Sequence, residues 1–453
     1  MPSSRLSDRI AARLLPLRGP LVTLVFFLAG GVCLLRMDPF GFSRLTKIYS
    51  QDLLAVAMAG CYPGAKGGPC VRDRRAAVSV VLLRDRDLDR FNEPWPPRYG
   101  FHARVLRAIR ANKPRAVLID IVFEDLRDDP SIEALGAELE RYREAGIPVY
   151  AATFGADHPL RAEVGSRVTP VQVPKKTDPL DRVTRFYDLT TAPPHSQLTA
   201  APTIFRDVCG GCEGNCDAQT ARLYWSVMPD DSWNDRWLDC RRRPPFPGWI
   251  VQDRSGDFRE NCPATPTIPV AVLLEPEEAD DAAVERMLQG NIVLYGTYFR
   301  GAVDAVNTPL HNDLPAVFLH STALDNLITL GPKALRHSEP QVPLLGVSLP
   351  DFALLILIGA FFTARRRGGR LAAAWERALR CVRFRVGRVL LIALGSQVGM
   401  LVVLATVASF VACRFGAAEW LYQVNFLFAF TWTELLDITE KLFDAAEEFE
   451  RPH

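Results

Sequence analysis

The chain has 453 residues, with 53 Lys+Arg against 52 Asp+Glu and a formal net charge of +1. Its length exceeds one average domain and implies two or three units. The balanced charge lacks the basic excess that nucleic-acid binding requires, so no nucleic-acid partner is expected.

The average hides a segregation, because apolar runs lie toward the two ends and the middle is polar and Pro-rich. The first run is Pro20–Leu35, preceded by Arg5, Arg9, Arg13 and Arg18. As a helix it covers about 24 Å, slightly short of a ~30 Å hydrocarbon core, and Arg18 and Arg36 can snorkel from its ends. A span over 20–37 in a lipid bilayer with a cytoplasmic N-terminus, 1–19, is therefore expected. The competing reading is a cleaved signal peptide. Cys33-Leu-Leu-Arg36 is a poor cleavage site, and the lipoprotein-like Met58-Ala-Gly-Cys61 lies far from the basic N-terminus.

The region 38–342 then reads as an extracytoplasmic domain. Ser43–Ala59 has apolar positions at helical spacing and suits a stalk helix. Ala76–Leu83, Arg115–Val122, Ile147–Thr153 and Ile292–Tyr295 are short, β-branched apolar runs expected of buried strands. Between and after them, Tyr99–Asn112, Ser131–Ala145, Ala279–Leu288 and Pro315–Leu330 read as helices. The alternation predicts an α/β domain with a mostly parallel sheet, interrupted by a Cys-bearing insertion at 205–265.

A second span is expected over 349–364. There Ser348-Leu-Pro-Asp351 fits a helix-capping box that places Asp351 at the outer interface. An Arg-rich cytoplasmic loop, 365–388, leads to a third span, 389–413, and then to a fourth, 418–436, which Gln423 and Asn425 weaken. The tail 437–453 is acidic, with Leu435, Ile438, Leu442, Ala446 and Phe449 on one helical face. It reads either as a solvated helix or as a segment for a partner's basic groove.

Parallel sheets place sites in the loops at their strands' carboxyl ends. Asp120 closes one strand there, the loop Gly296–Gly301 with Thr297 follows another, and Asp304, Thr308 and His320 come next. Trp95-Pro-Pro-Arg98, the strand Ala116–Glu124, Asn291–Gly296, Asp304, Thr308-Pro309, Pro315-Ala316 and His320 together resemble the CHASE domain of type two, over about 43–330. The resemblance implies an extracellular sensory domain of the kind associated with cyclases and histidine kinases. That family's layout also implies a cytoplasmic output module after the spans. Here the sequence stops soon after the last span, so no attached module is expected.

Seven of the ten cysteines, Cys61, Cys70, Cys209, Cys212, Cys216, Cys240 and Cys262, lie in the middle region. Cys209-Gly-Gly-Cys212 and Cys216 have zinc-like spacing, but an oxidising compartment favours disulfides, so no metal is expected. Cys61 and Cys70 flank a loop that a disulfide can close. Five cysteines remain, and the odd one is free or pairs between the chains of a homodimer.

The ligand-site candidates are Asp120, Gly296, Thr297, Asp304, Thr308, His320 and Arg98, each against a purely structural role. Asp304 and His320 form a candidate acid–base couple, and Asp120, Asp125, Asp128 and Asp129 a minor candidate for a hard cation. The sequence has no GxSxG, HExxH or GK[ST] element, so neither enzymatic chemistry nor a cofactor is expected. The expected protein is a bacterial inner-membrane, multi-pass sensor that detects an external ligand or protein. It relays the signal to a separate cytoplasmic or membrane signalling partner. The alternative is a non-catalytic envelope scaffold that uses the sensory fold as a docking platform.

Overall fold

A computed structural model describes residues 18–38, 41–58, 69–72, 75–124, 127–155, 159–191, 197–211, 220–225, 237–238, 240, 262–277, 280–299, 304–332, 342–343, 345–366, 425–428 and 431–432. The chain forms two compact units, Ala55–His337 and the pair of segments Met1–Leu54 with Ser338–His453.

The first unit is built on a six-stranded sheet, with β1 (Val78–Arg84), β2 (Ala116–Ile119), β3 (Val149–Thr153), β4 (Thr169–Gln172), β5 (Thr267–Pro269) and β6 (Ile292–Tyr298). Their order across the sheet is β4-β3-β2-β6-β1-β5, and every neighbouring pair is parallel. All residues of β1, β2 and β3 are buried, which explains why these strands are continuously apolar instead of alternating. The helices are α1 (Asp85–Phe91), α2 (Tyr99–Ala111), α3 (Ile132–Glu144), α4 (Ala200–Cys209), α5 (Asp281–Leu288) and α6 (Val317–Leu330). Alternate strand residues Val81, Leu83, Val117, Ile119, Val293 and Tyr295 share one cluster with Leu106, Ile109, Leu135, Leu139 and Leu288. Burying each such aliphatic side chain contributes about 1.5–3 kcal/mol. Helix α6 packs on β1 and β6 and against α4.

The four expected strands and four expected helices of this unit are present, with boundaries shifted by a few residues. β6 runs three residues beyond the expected Tyr295, so Gly296 and Thr297 belong to the strand and not to a loop. The edge strands β4 and β5 are additional. Each is short and contains a proline, Pro170 and Pro269, which an edge position tolerates.

Two disulfides close the described part of this unit, Cys70–Cys209 and Cys240–Cys262. The first replaces the expected Cys61–Cys70 pairing. Ala77 donates its amide to the Cys70 carbonyl (2.8 Å), which holds Cys70 at the entrance to β1. From there its Cα lies 5.5 Å from that of Cys209 at the end of α4. Cys61, Cys212 and Cys216 lie outside the described residues.

In the second unit, helix Arg18–Met37 packs on helix Leu349–Arg366 around Phe27, Leu355, Ile358 and Phe428. Helix Phe42–Met58 occupies the expected stalk segment. Asn425, which weakens the expected fourth span, is buried and fully engaged. Its amide group donates to the Ser43 carbonyl (2.9 Å) and Thr46 Oγ1 (3.1 Å), and its side-chain oxygen accepts from Ser50 Oγ (3.3 Å). Its backbone N–H donates to Asp351 Oδ1 (2.7 Å), and Lys47 lies 3.5 Å from the other carboxylate oxygen. Ser348 Oγ accepts from the Asp351 amide (3.3 Å), as the expected helix cap requires. Among the described residues no helix is long and apolar enough to cross a membrane. The expected spans 389–413 and most of 418–436, the Arg-rich loop beyond Arg366 and the acidic tail lie outside the described residues.

Candidate functional site

Sheet topology decides where a site can form. From β2 the chain steps outward to β3 and β4, while β1 and β5 lie on the other side of β6. A crevice opens at the carboxyl ends where strand order reverses in this way. Here a cleft of about 300 Å³ lies over the ends of β2, β3, β4 and β6, lined by Asp120, Phe123, Phe154, Val173 and Thr297 among others. Trp95, Pro96 and Pro97 from the turn before α2, His102 from α2, and Arg127 and Asp304 complete its wall.

Asp120 directly follows β2, and its amide donates to the Tyr295 carbonyl of β6 (2.8 Å), so sheet pairing fixes its position. The residue is only 9% exposed. Its Oδ2 has no hydrogen-bond partner among the described residues. Its Oδ1 lies 3.7 Å from His320 Nε2, beyond hydrogen-bond reach. Burial pushes the Asp120 carboxyl up to about 7.

Behind Asp120, His320 on α6 meets the Tyr187 hydroxyl through Nδ1 (3.0 Å). The same hydroxyl accepts from the Ala201 amide at the start of α4 (3.4 Å). With Tyr187 donating to Nδ1, the imidazole proton sits on Nε2, toward Asp120. Burial lowers His320 to about 4, opposed by the Asp304 charge, so the ring is neutral at physiological pH. His102, buried and bonded to the Tyr295 hydroxyl (2.9 Å), is lowered to about 3 by burial first and by the Arg127 charge second.

Asp304 stands at the open end and is exposed to solvent. Surrounding protein and then the Asp120 charge push its carboxyl upward, while His320 and Lys175 oppose them. Arg127 is held by the structure itself. Its Nη1 donates to the Pro96 (3.3 Å) and Pro97 (3.1 Å) carbonyls, and its guanidinium lies 4.6 Å over the Tyr99 ring. Trp95 and Phe154 are aromatic yet 62% and 67% exposed, Trp95 leaning on Phe299.

Of the seven ligand-site candidates, Asp120, Thr297 and Asp304 line the cleft, and His320 backs Asp120. Asp120 joins the expected Asp304–His320 couple, since α6 carries the imidazole to 3.7 Å from Asp120 at the end of β2 while the Asp304 charge acts on the same ring. Gly296 serves packing. A Cβ there would meet Val317 Cβ at 2.6 Å, so the glycine admits α6, not a ligand. Thr308 closes a buried turn, accepting from the amides of Leu310 (3.2 Å) and His311 (2.8 Å). The Arg98 side chain is exposed 3.9 Å from Glu93, and its carbonyl accepts from the Phe101 amide at the start of α2. Among the described residues the acidic loop does not gather as a cation site. Asp129 accepts from the Tyr99 and Ser131 amides, Asp128 is exposed, and Asp125 is outside the described residues. Cys209 is committed to Cys70, which removes it from any zinc-thiolate set. Among the described residues no His/Cys/Asp/Glu group is arranged to hold a metal ion.

Sequence reasoning missed Phe154, His102 and Arg127. Phe154 had a usable signal, since it directly follows a predicted strand. His102 and Arg127 did not, because one sits on a helix and the other in an irregular loop.

No curated protein and no solved structure matches the chain. The CHASE2 domain family matches residues 24–364, beyond the expected 43–330 and into the helices on either side. With three-quarters of its length matched, and with a parallel α/β domain carrying a strand-end cleft, the chain belongs to the CHASE2 family of extracellular sensory domains.

Proposed function

We propose that the chain is a membrane-anchored extracytoplasmic sensor whose strand-end cleft receives a small external ligand and whose helices relay occupancy to a separate signalling partner. One observation carries the reading. Asp120 is a nearly buried carboxylate with an oxygen that has no hydrogen-bond partner among the described residues, and it lines a cleft at the topological switch of the sheet. A structural aspartate in that setting would have its lone pairs satisfied by protein, because an unmet buried acceptor costs about 1–3 kcal/mol. A ligand supplies the missing partner.

Anchoring is supported by the apolar runs 20–35, 349–364 and 389–413 and by the arginines clustered before the first and after the second. The disulfides fit an oxidising compartment. We read the site as a binding site and not a catalytic one, because among the described residues His320 bonds to the buried Tyr187 hydroxyl, whose ionisation burial disfavours, and not to a serine, threonine or cysteine side chain. Helix Phe42–Met58 lies in sequence between the first apolar run and the first strand of the sheet, and coupling of about 1–3 kcal/mol through such an element is enough to bias a partner.

The test uses the full chain in lipid nanodiscs, heated with the low-molecular-weight fraction of the culture medium. A bound ligand at 100-fold its Kd adds about 2.7 kcal/mol and raises the midpoint by a few degrees. Thr297→Trp fills the cleft and should abolish the rise. A rise that survives this substitution would move the ligand elsewhere. No rise with any fraction would count against a small-molecule sensor. Protease added to spheroplasts should cut within 76–330 and spare 365–388; the reverse pattern would reject the proposed topology.

A further inference from the structure

We infer that the cleft takes a small organic cation, a protonated amine carried on an apolar or aromatic body, a refinement that rests on the reading of this cleft as the sensor's ligand site. The argument is an inventory of what the wall offers. Acceptors dominate. Asp120 has an oxygen without a partner among the described residues, and Asp304 adds a second carboxylate at the open end. Among the described lining residues Arg127 is the one charged donor: its Nη1 is on the Pro96 and Pro97 carbonyls, its plane lies against Tyr99, and its Nε, which has no partner among the described residues, is buried. His102 is likewise occupied by Tyr295. A wall rich in acceptors and poor in available donors suits a ligand that brings N–H groups and positive charge.

The aromatic residues point the same way. Trp95 and Phe154 stand exposed at the mouth, where an unliganded soluble face would ordinarily carry polar groups. Aromatic faces beside carboxylates attract cations through the ring quadrupole and cover an apolar ligand body. A sugar would also stack on Trp95, but its hydroxyls need donors and acceptors in comparable number, and among the described residues the Arg127 donors are bonded to protein or buried. An anion would face two carboxylates. The volume of about 300 Å³ sits at the small end of ligand sites and suits a compact amine. The Asp120 carboxyl reaches such an ammonium by rotation about its soft terminal torsion. The amine's charge would then hold Asp120 ionised, in place of the elevated titration it shows when unliganded.

Ligand-observed NMR titration of the full chain in nanodiscs, with empty nanodiscs subtracted, distinguishes the classes with three probes that share a phenylethyl body. These are 2-phenylethylamine, 2-phenylethanol and 3-phenylpropionate. The expected result is saturable binding of the amine with Kd on the order of 1 mM or tighter, as a ligand of this size allows, and at least tenfold weaker binding of the other two. Asp120→Asn should weaken the amine about tenfold or more and leave the alcohol unchanged. Phe154→Ala, a surface change that does not threaten folding, should weaken the amine several-fold. Binding of the alcohol or carboxylate as tight as the amine, or amine binding indifferent to Asp120→Asn, would overturn the cation assignment while leaving the cleft a ligand site. If none of the three probes binds, the cation assignment falls, while the cleft reading stands or falls on the heating experiment with medium fractions.

Discussion

Asp120 concentrates the electrostatic tension of the domain. Burial pushes its carboxyl up to about 7 in the fold against 3.8 unfolded, and no hydrogen bond to Oδ2 from the described residues compensates. The folded state therefore holds more protons than the unfolded one between these values, and the stability due to Asp120 is lost as pH rises from about 4 to about 7. His320 works in the opposite sense. It titrates near 4 in the fold against 6.5 unfolded, so its contribution grows with pH over much of the same window. The wild-type profile is a partial cancellation, and a substitution separates the two. Asp120→Asn should gain stability relative to wild type between pH 4.5 and 7.5, by up to roughly 4 kcal/mol, visible as diverging thermal midpoints. Parallel midpoints across that range would mean that Asp120 is ionised without penalty. At this scale the sequence pointed to three residues that line the cleft, Asp120, Thr297 and Asp304, because they follow or close apolar runs. It could not separate them from Thr308 and Arg98, which stand near strand and helix ends for turn closure and helix capping.

Elements were legible wherever their residues are buried on both sides. β1, β2 and β3 are continuous apolar runs because helices cover both sheet faces. The short edge strands β4 and β5 carry no such pattern, and their prolines argue against a central strand. Gly296 shows how an element contact can pass for a ligand contact. In sequence it reads as a glycine beside a loop, and in the fold it lets α6 approach β6 through Val317. Gly296→Ala should therefore destabilise the domain by about 1–3 kcal/mol through overpacking, measured by denaturant unfolding. A neutral result would mean that α6 yields easily and that the glycine is there for another reason.

Over the whole molecule, the Cys70–Cys209 bridge joins positions 139 residues apart, tying the segment before β1 to the end of α4. Closing so long a loop restricts the unfolded chain, and removing a native disulfide of this kind costs about 2–5 kcal/mol. The double variant Cys70→Ser/Cys209→Ser should lose stability in that range, and wild type under reductant, which also opens Cys240–Cys262, should lose at least as much. Equal midpoints for the oxidised wild type and the variant would reject the bridge as a stabilising element.

The sequence by itself determined the α/β class, the parallel sheet, the stalk helix and the sensory family. These rest on local period, apolar run length and ordered short motifs, all properties of neighbouring residues. Only the tertiary structure decided that β6 slots between β1 and β2, that Cys70 meets Cys209 and that His320 faces Asp120. Each of these joins residues far apart along the chain, and their proximity follows from how buried surfaces fit, which no local pattern encodes.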